Sequence, residues 1–423
     1  MKGPGLYDER FEHDGCGVGF VAALEGQPDP RVLPLALTAL ARLVHRGGVD
    51  ADGRTGDGAG VLTGIPASIF APALAALDRG RVPARDLAVG LLFLPHDPAG
   101  CAKGQRIATA ALAAQGLSFL GWREVPVRDE VLGAKALASR PALLHLMAGR
   151  PPGATDEDFE RRLYLARRAM ETRAAAAGLD AFYVASLSHR TLVYKALARG
   201  VDLPDVFPDL RSPLYTTAFA VFHQRFSTNT LPRWSMAQPF RHVAHNGEIN
   251  TVQGNRLWMR AREEAAPAEA PGLLGGLPAA LVGEKASDSA SLDEALALLT
   301  RGGREALHAM AMLVPPAWEN DAELPADVRA FFDYHACFVE PWDGPAFLAF
   351  TDGRVVGACL DRNGLRPARY SVTADGLVLV GSEAGAFDVS PQRVLYQGRL
   401  GPGEVLAVDL SARRLSVIGQ LNF

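Results

Sequence analysis

Cysteine is scarce in this chain: there are four in 423 residues, at positions 16, 101, 337 and 359. They lie far apart and none forms a CxxC pair, so neither a metal site nor a disulfide framework is indicated, and a reducing, cytoplasmic compartment fits. Long apolar runs are also missing. No stretch approaches the roughly 18 residues that a membrane-spanning helix needs, so no membrane partner is expected. Basic blocks are absent too, with 43 Lys+Arg against 47 Asp+Glu and a net charge of −4, which leaves no electrostatic footprint for nucleic acid. Neither G-x-G-x-x-G nor a Walker loop occurs, so the glycines do not read as a nucleotide site. Small-molecule chemistry is what these absences leave.

What is present is an apolar content of 48%, enough for a large core spread over two or three average domains or one large domain with insertions. The stretch Asp14–Phe20 places Cys16 between glycines at the head of an alternating small and apolar run that reads as a buried strand. If the chain were cut between Gly15 and Cys16, the cysteine would carry a free α-amino group with a pKa of about 7.7–8.0. Nucleophile and base would then be one residue. Met1–Gly15 is polar and charged, lacks the apolar core of a secretory signal, and is expected to be a removable leader preceding one domain over residues 16–423.

Along the chain, the spacing predicts a helix over 33–44, a polar loop over 50–57, a strand over 58–65 and strands over 87–94, 118–127 and 143–147. A helix is expected at 103–115, and 156–177 is the clearest amphipathic helix in the first half, its arginines forming a solvated face. Residues 182–187 and 191–195 read as a hairpin with His189 at the surface of its turn. A strand over 218–223 runs into Arg225, helices follow at 255–264 and 287–299, and 265–281 reads as a mobile surface loop. After a helix at 326–338 come strands at 346–351, 354–360, 368–372, 377–382 and 394–400, an antiparallel meander. Strands at both ends with helices between them give an α+β layered core.

An enzyme that releases ammonia from a carboxamide needs a nucleophile, a base, oxyanion donors and groups that hold the amino acid's charged end. Cys16 can supply the first two. Asn246 and Gly247 offer a side-chain amide and an adjacent backbone N–H for an oxyanion. Arg225 offers a planar fork for a carboxylate, and Asp288 a fixed anion for an ammonium. Each also has a plain structural reading: an Asn-Gly turn, a surface ion pair, a helix cap.

The order and wording of these segments resemble the class II (N-terminal-nucleophile) glutamine amidotransferases, and within them the amidotransferase domain of the glutamate synthase large subunit. The resemblance is carried by Asp14–Phe20, His45–Gly47, Thr55–Gly60, His223–Thr230 and His245–Thr251, and is extended by Ser287–Ser289, Glu340–Pro345 and Asp361–Pro367. It implies a four-layer αββα sandwich of the N-terminal-nucleophile hydrolase type. It also implies that Cys16 forms a γ-glutamyl thioester, that Asn246 and Gly247 make the oxyanion hole, and that Arg225 and Asp288 hold glutamine's α-carboxylate and α-amino groups. Arg46 is a further candidate, for positioning the Cys16 amine. By the same resemblance L-glutamine is the substrate, and FMN and an iron–sulfur cluster belong to a synthase domain outside this chain that accepts the ammonia. Met1–Phe423 shows no cluster-like cysteine spacing and is expected to hold no cofactor. A free-standing glutaminase, an amidotransferase serving another acceptor and a non-catalytic regulatory module are the alternatives.

Overall fold

The computed structural model describes residues 15–227, 231–265, 282–283 and 286–418. The leader up to Asp14 and the loop at 266–281 lie outside these residues.

The chain opens with β1 (Gly17–Ala23), α1 (Val32–Arg42), β2 (Ala59–Gly64) and α2 (Ala67–Ala76). It continues through β3 (Leu87–Leu94), α3 (Pro98–Ala114), β4 (Ser118–Glu124), α4 (Ala134–Ala138), β5 (Ala142–Gly149) and α5 (Asp156–Ala176). Next come β6 (Tyr183–Ser188), β7 (Thr191–Ala196), α6 (Leu203–Val206), β8 (Phe219–Gln224), β9 (Val243–Gly247), α7 (Val252–Ala265) and α8 (Asp288–Arg301). The last part holds α9 (Ala306–Leu313), α10 (Ala326–Ala336), β10 (Ala346–Thr351), β11 (Val355–Leu360), β12 (Arg369–Thr373), β13 (Leu377–Gly381), β14 (Val394–Arg399), β15 (Val405–Asp409) and β16 (Arg414–Ile418).

The strands form a 7-stranded sheet, β14-β12-β13-β1-β8-β2-β7, a 5-stranded sheet, β16-β15-β11-β10-β9, and a 4-stranded sheet, β4-β5-β3-β6. All the recorded pairings in the first two sheets are antiparallel. Strand periodicity decides the layering, because successive side chains point to opposite faces. Val18, Phe20 and Ala22 of β1 face Ala244, Phe347 and Ala349 of the 5-stranded sheet, and these residues make the core between the sheets. Val21 and Ala23 point the other way, onto Val32, Leu33, Ala36 and Leu40 of α1. The outer face of the 5-stranded sheet, with Val243, Leu348 and Phe350, is covered by Met259 of α7, Leu292 and Leu296 of α8 and Met310 of α9. This is the expected αββα order.

The 4-stranded sheet is an addition that was not foreseen. Val89, Leu91 and Phe93 of β3 join the core under the 7-stranded sheet, whereas Ala88, Leu92 and Leu94 pack on α3 and α5. Its presence corrects two expectations. β6 and β7 do not pair with each other: β6 pairs with β3, and β7 with β2. The Ser188 hydroxyl accepts from the backbone N–H of Arg190 and Thr191 at 2.9 and 3.1 Å, so the connection turns the chain from one sheet to another. The C-terminal meander is likewise divided, β10 and β11 belonging to one sheet and β12 to β14 to the other. The strands β15 and β16 complete the 5-stranded sheet and were not anticipated.

Two of the α5 arginines are a further correction, whereas Arg161 and Arg173 are exposed as expected. Arg167 and Arg168 are buried. Arg167 donates to both Glu294 oxygens at 2.7 and 2.8 Å, and Arg241 bridges Glu171 and Glu294 at 2.7 and 3.0 Å. A polar face repeating at helical spacing reads as solvated unless its partners are known; here they sit on α8, far along the chain. His189 is also inside, its Nδ1 2.7 Å from Glu160 Oε1 and its ring stacked on Phe159 at 5.0 Å.

Candidate active site

Cys16 stands one residue before β1. Gly17 pairs with Gln224 in β8, so the chain leaving β8 passes the cysteine side chain. The backbone N–H of Phe226 donates to Cys16 Sγ at 3.3 Å, and the thiol lies 3.5 Å from the Phe226 carbonyl oxygen. The loop 48–58 clasps the same segment. Gly48 N–H donates to the Arg225 carbonyl at 3.3 Å, Arg225 N–H to that of Gly58 at 2.8 Å, and Ser227 N–H to Asp57 Oδ2 at 2.6 Å.

Asn246 and Gly247 end β9, opposite Phe347 and Ala346 of β10. Because the two sheets stack face to face, this end of β9 meets the head of β1. A Cβ placed on Gly15 would lie 3.1 Å from Asn246 Oδ1, 3.6 Å from its Nδ2 and 3.5 Å from Arg366 Nη1. The Asn246 amide and the Arg366 guanidinium therefore flank the Gly15–Cys16 bond. Asn246 Oδ1 is buried without a hydrogen-bond partner. Gly247 has φ +142°, and a Cβ there would fall 1.8 Å from the Pro345 carbonyl oxygen, so only glycine fits this turn.

Asp288 is the first residue of α8, while Ser287 is the cap, its side chain accepting from Ala290 N–H at 3.1 Å. Asp288 instead reaches back to the turn after Asn246 and Gly247, accepting from Ile249 N–H at 2.9 Å through Oδ2. Its Oδ1 accepts from the Ser289 hydroxyl at 3.1 Å, and Ser289 Oγ lies 2.8 Å from His245 Nδ1. Since the serine proton is given to Asp288, His245 donates from Nδ1. His245 thereby ties β9 to α8.

Electrostatics follow from this crowding. Burial pushes the Cys16 thiol up, opposed by the Phe226 backbone and by Arg225 and Arg366. Burial lowers Arg225, with Cys16, Asp57 and Asp288 opposing. It raises Asp57, against the Ser227 hydrogen bond and Arg225. The structure thus brings Cys16, Arg225, Asn246, Gly247 and Asp288 to one place. Arg46 sits at the rim, its guanidinium paired with Glu383, which follows the Ser382 bonded to Val18. Sequence reasoning missed the placement of Asp57, His245 and Arg366. All three lie inside the segments that carried the resemblance, which was the signal available. Among the described residues, no group of three or more His, Cys, Asp or Glu side chains is placed to hold a metal ion, and no helix is long and apolar enough to cross a membrane.

Comparison with known proteins matches the family model described as "Glutamine amidotransferases class-II" to residues 16–420. The chain is 44% identical over 417 residues to ferredoxin-dependent glutamate synthase 2 of Synechocystis, covering 97% of this chain and 26% of that protein. It is 43% identical to the glutamate synthase [NADPH] large chain of Azospirillum brasilense, covering 97% and 27%, and 40% identical to that of Bacillus subtilis, covering 98% and 27%. The chain thus spans about a quarter of the length of these relatives. Among solved structures, glutamine phosphoribosylpyrophosphate amidotransferase from B. subtilis aligns at a TM-score of 0.34 and 15% identity, over 79% of this chain and 49% of that one. With a family match running almost its whole length and these relatives at 40–44% identity, the chain belongs to the class II glutamine amidotransferases, an enzyme family, and is similar to the amidotransferase region of glutamate synthase large chains.

Proposed function

We propose that this chain hydrolyses the side-chain amide of L-glutamine through a thioester on Cys16 and delivers ammonia for the reductive amination of 2-oxoglutarate in glutamate synthase. The placement of Asn246 and Arg366 beside the Gly15–Cys16 bond, with the Arg225 charge acting on the Cys16 thiol, carries this reading. Removal of Met1–Gly15 frees the α-amine and vacates the space against the Asn246 amide where the glutamine carboxamide must sit. The amine takes the thiol proton, and sulfur attacks the amide carbon. The oxyanion is held by Asn246, whose amide can rotate to present its NH₂, and by the N–H of Gly247. The proton then passes to the leaving nitrogen, the C–N bond breaks, and ammonia departs from the acyl-cysteine. Water attacks the thioester and releases glutamate. Arg225 pairs with the α-carboxylate and Asp288 with the α-ammonium, and Arg46, held by Glu383, supports the turn near the amine.

The partner is a synthase domain or subunit carrying FMN and an iron–sulfur cluster, lying beyond residues 1–423 in a cytoplasmic enzyme. Ammonia that reached water would become ammonium and lose its nucleophilicity, so the acceptor site must be close and shielded. Incubating the processed chain with glutamine, 2-oxoglutarate and a reductant tests the division of labour. One glutamate per free ammonia is expected. Two glutamates with no free ammonia would overturn it.

A further inference from the structure

Away from Cys16, the C-terminal end of α8 and the first turns of α5 enclose a cavity of about 230 Å³ with the ends of β11 and β15. It is lined by Glu157, Glu160, Arg190, Arg301, Asp352 and Arg354, among others. α8 begins at Asp288 and ends at Arg301, so the cavity lies about 20 Å from the glutamine site along that helix.

The acids here are committed. Glu160 accepts from the Ser188 hydroxyl at 2.6 Å and His189 N–H at 2.8 Å, and pairs with Arg301 at 2.7 Å. Asp352 accepts from the backbone N–H of Arg354 and Val355, both at 2.9 Å. The cations are less well matched. The Arg190 side chain is 10% exposed and its Nη2 is buried with no hydrogen-bond partner. Its ion-pair partner, Glu157 Oε1, is 3.5 Å away on a side chain 58% exposed, and that oxygen is held more closely by Arg354, at 2.6 Å. Burial pushes Arg190 below its ordinary value; the nearby Glu160 charge opposes this, and Arg354 and Arg301 add to it. A buried guanidinium without its acceptor is costly, and a guest anion removes that cost through a bidentate, charge-assisted pair.

We propose that this cavity is a binding site for a small organic dianion, whose carboxylate or phosphate group is taken by Arg190 with Arg354 in place of Glu157. The volume suits a ligand smaller than the drug-sized molecules that fill pockets of about 300–1,000 Å³. The test is calorimetric titration of the full chain with succinate and, separately, inorganic phosphate, at ionic strength fixed with chloride. Saturable binding of one anion per chain by at least one of them is expected, and the stronger binder identifies the group recognised. Arg190→Gln should weaken binding at least tenfold, and Glu157→Ala should tighten it by removing the competing carboxylate. The exposed Glu157 variant keeps the test decisive if Arg190→Gln does not fold. Ammonia release from glutamine by Glu157→Ala should match the parent, which separates this site from Cys16. No saturable heat with either anion, or binding that neither substitution changes, would overturn the proposal.

Discussion

The backbone N–H of Phe226 points at the sulfur of Cys16 from 3.3 Å. That contact exists because β8 pairs with β1 in a register that opposes Gly17 to Gln224, so a residue more than two hundred positions away defines the environment of the Cys16 thiol. The thiol it meets is half-buried, and loss of solvent pushes its pKa up. A protonated thiol needs a base, and among the described residues no histidine hydrogen-bonds to it.

A pH prediction follows for the chain with Met1–Gly15 still attached. With its pKa above the ordinary value, Cys16 is thiol rather than thiolate at neutral pH, and its alkylation accelerates only as pH rises through and beyond the ordinary cysteine range of about 8.5. The exposed Cys337 should therefore be alkylated first at pH 7, as peptide mapping would show. Rapid alkylation of Cys16 at pH 7 in unprocessed protein would mean the sulfur is already ionised without the amine.

Asn246→Ala should lower kcat by about 10²–10³ with KM little changed, the cost of one oxyanion donor. Steady-state ammonia release measures it, and near-normal turnover would leave Asn246 as a turn residue.

Asp288 accepts from Ile249 N–H and is proposed to bind the substrate ammonium, and two substitutions separate the two roles. Asp288→Asn keeps an oxygen for Ile249 N–H and removes the charge, so it should chiefly raise KM. Asp288→Ala also frees the turn beyond Gly247 and should lower kcat as well. Arg225→Ala should act like Asp288→Asn. Equal kcat for the two Asp288 variants would show that the contact to Ile249 does not hold the oxyanion turn.

How much of this was legible in the chain depends on the range of each interaction. The strands at 87–94 and 346–351 were read to the residue because a short, continuous apolar run bounded by turn signals is a local property. The residues around Cys16 were legible because their wording resembles a family. Partnership was not legible. Nothing near Arg167 announces Glu294, and nothing in Ser188–Arg190 says that its flanking strands join different sheets. Arg366 was quoted in a motif without a role, since only the stacking of the two sheets brings it beside Gly15.

The α5–α8 ion network makes a stability prediction. Arg167 holds the Glu294 carboxyl well below the usual carboxylate range, against burial, which acts the other way and is the largest influence. The folded pKa is depressed, so this contribution is present above about pH 4.3, the ordinary glutamate value, and is lost as pH falls toward the folded one. Arg167→Ala removes the two-pronged partner of a buried carboxylate, leaving it Arg241 at 3.0 Å, and should cost about 1.5–3 kcal/mol, read by urea unfolding at pH 7. A loss under about 1 kcal/mol would place the pair among those that add nothing measurable.

The most direct test of the central claim is intact-mass and peptide-level analysis of active protein treated with a glutamine-like electrophile. The account predicts that labelled molecules begin at Cys16 and carry the label there, and that Cys16→Ala neither labels nor releases ammonia. Label on Cys101, Cys337 or Cys359, or full activity from molecules that all retain Met1–Gly15, would contradict it.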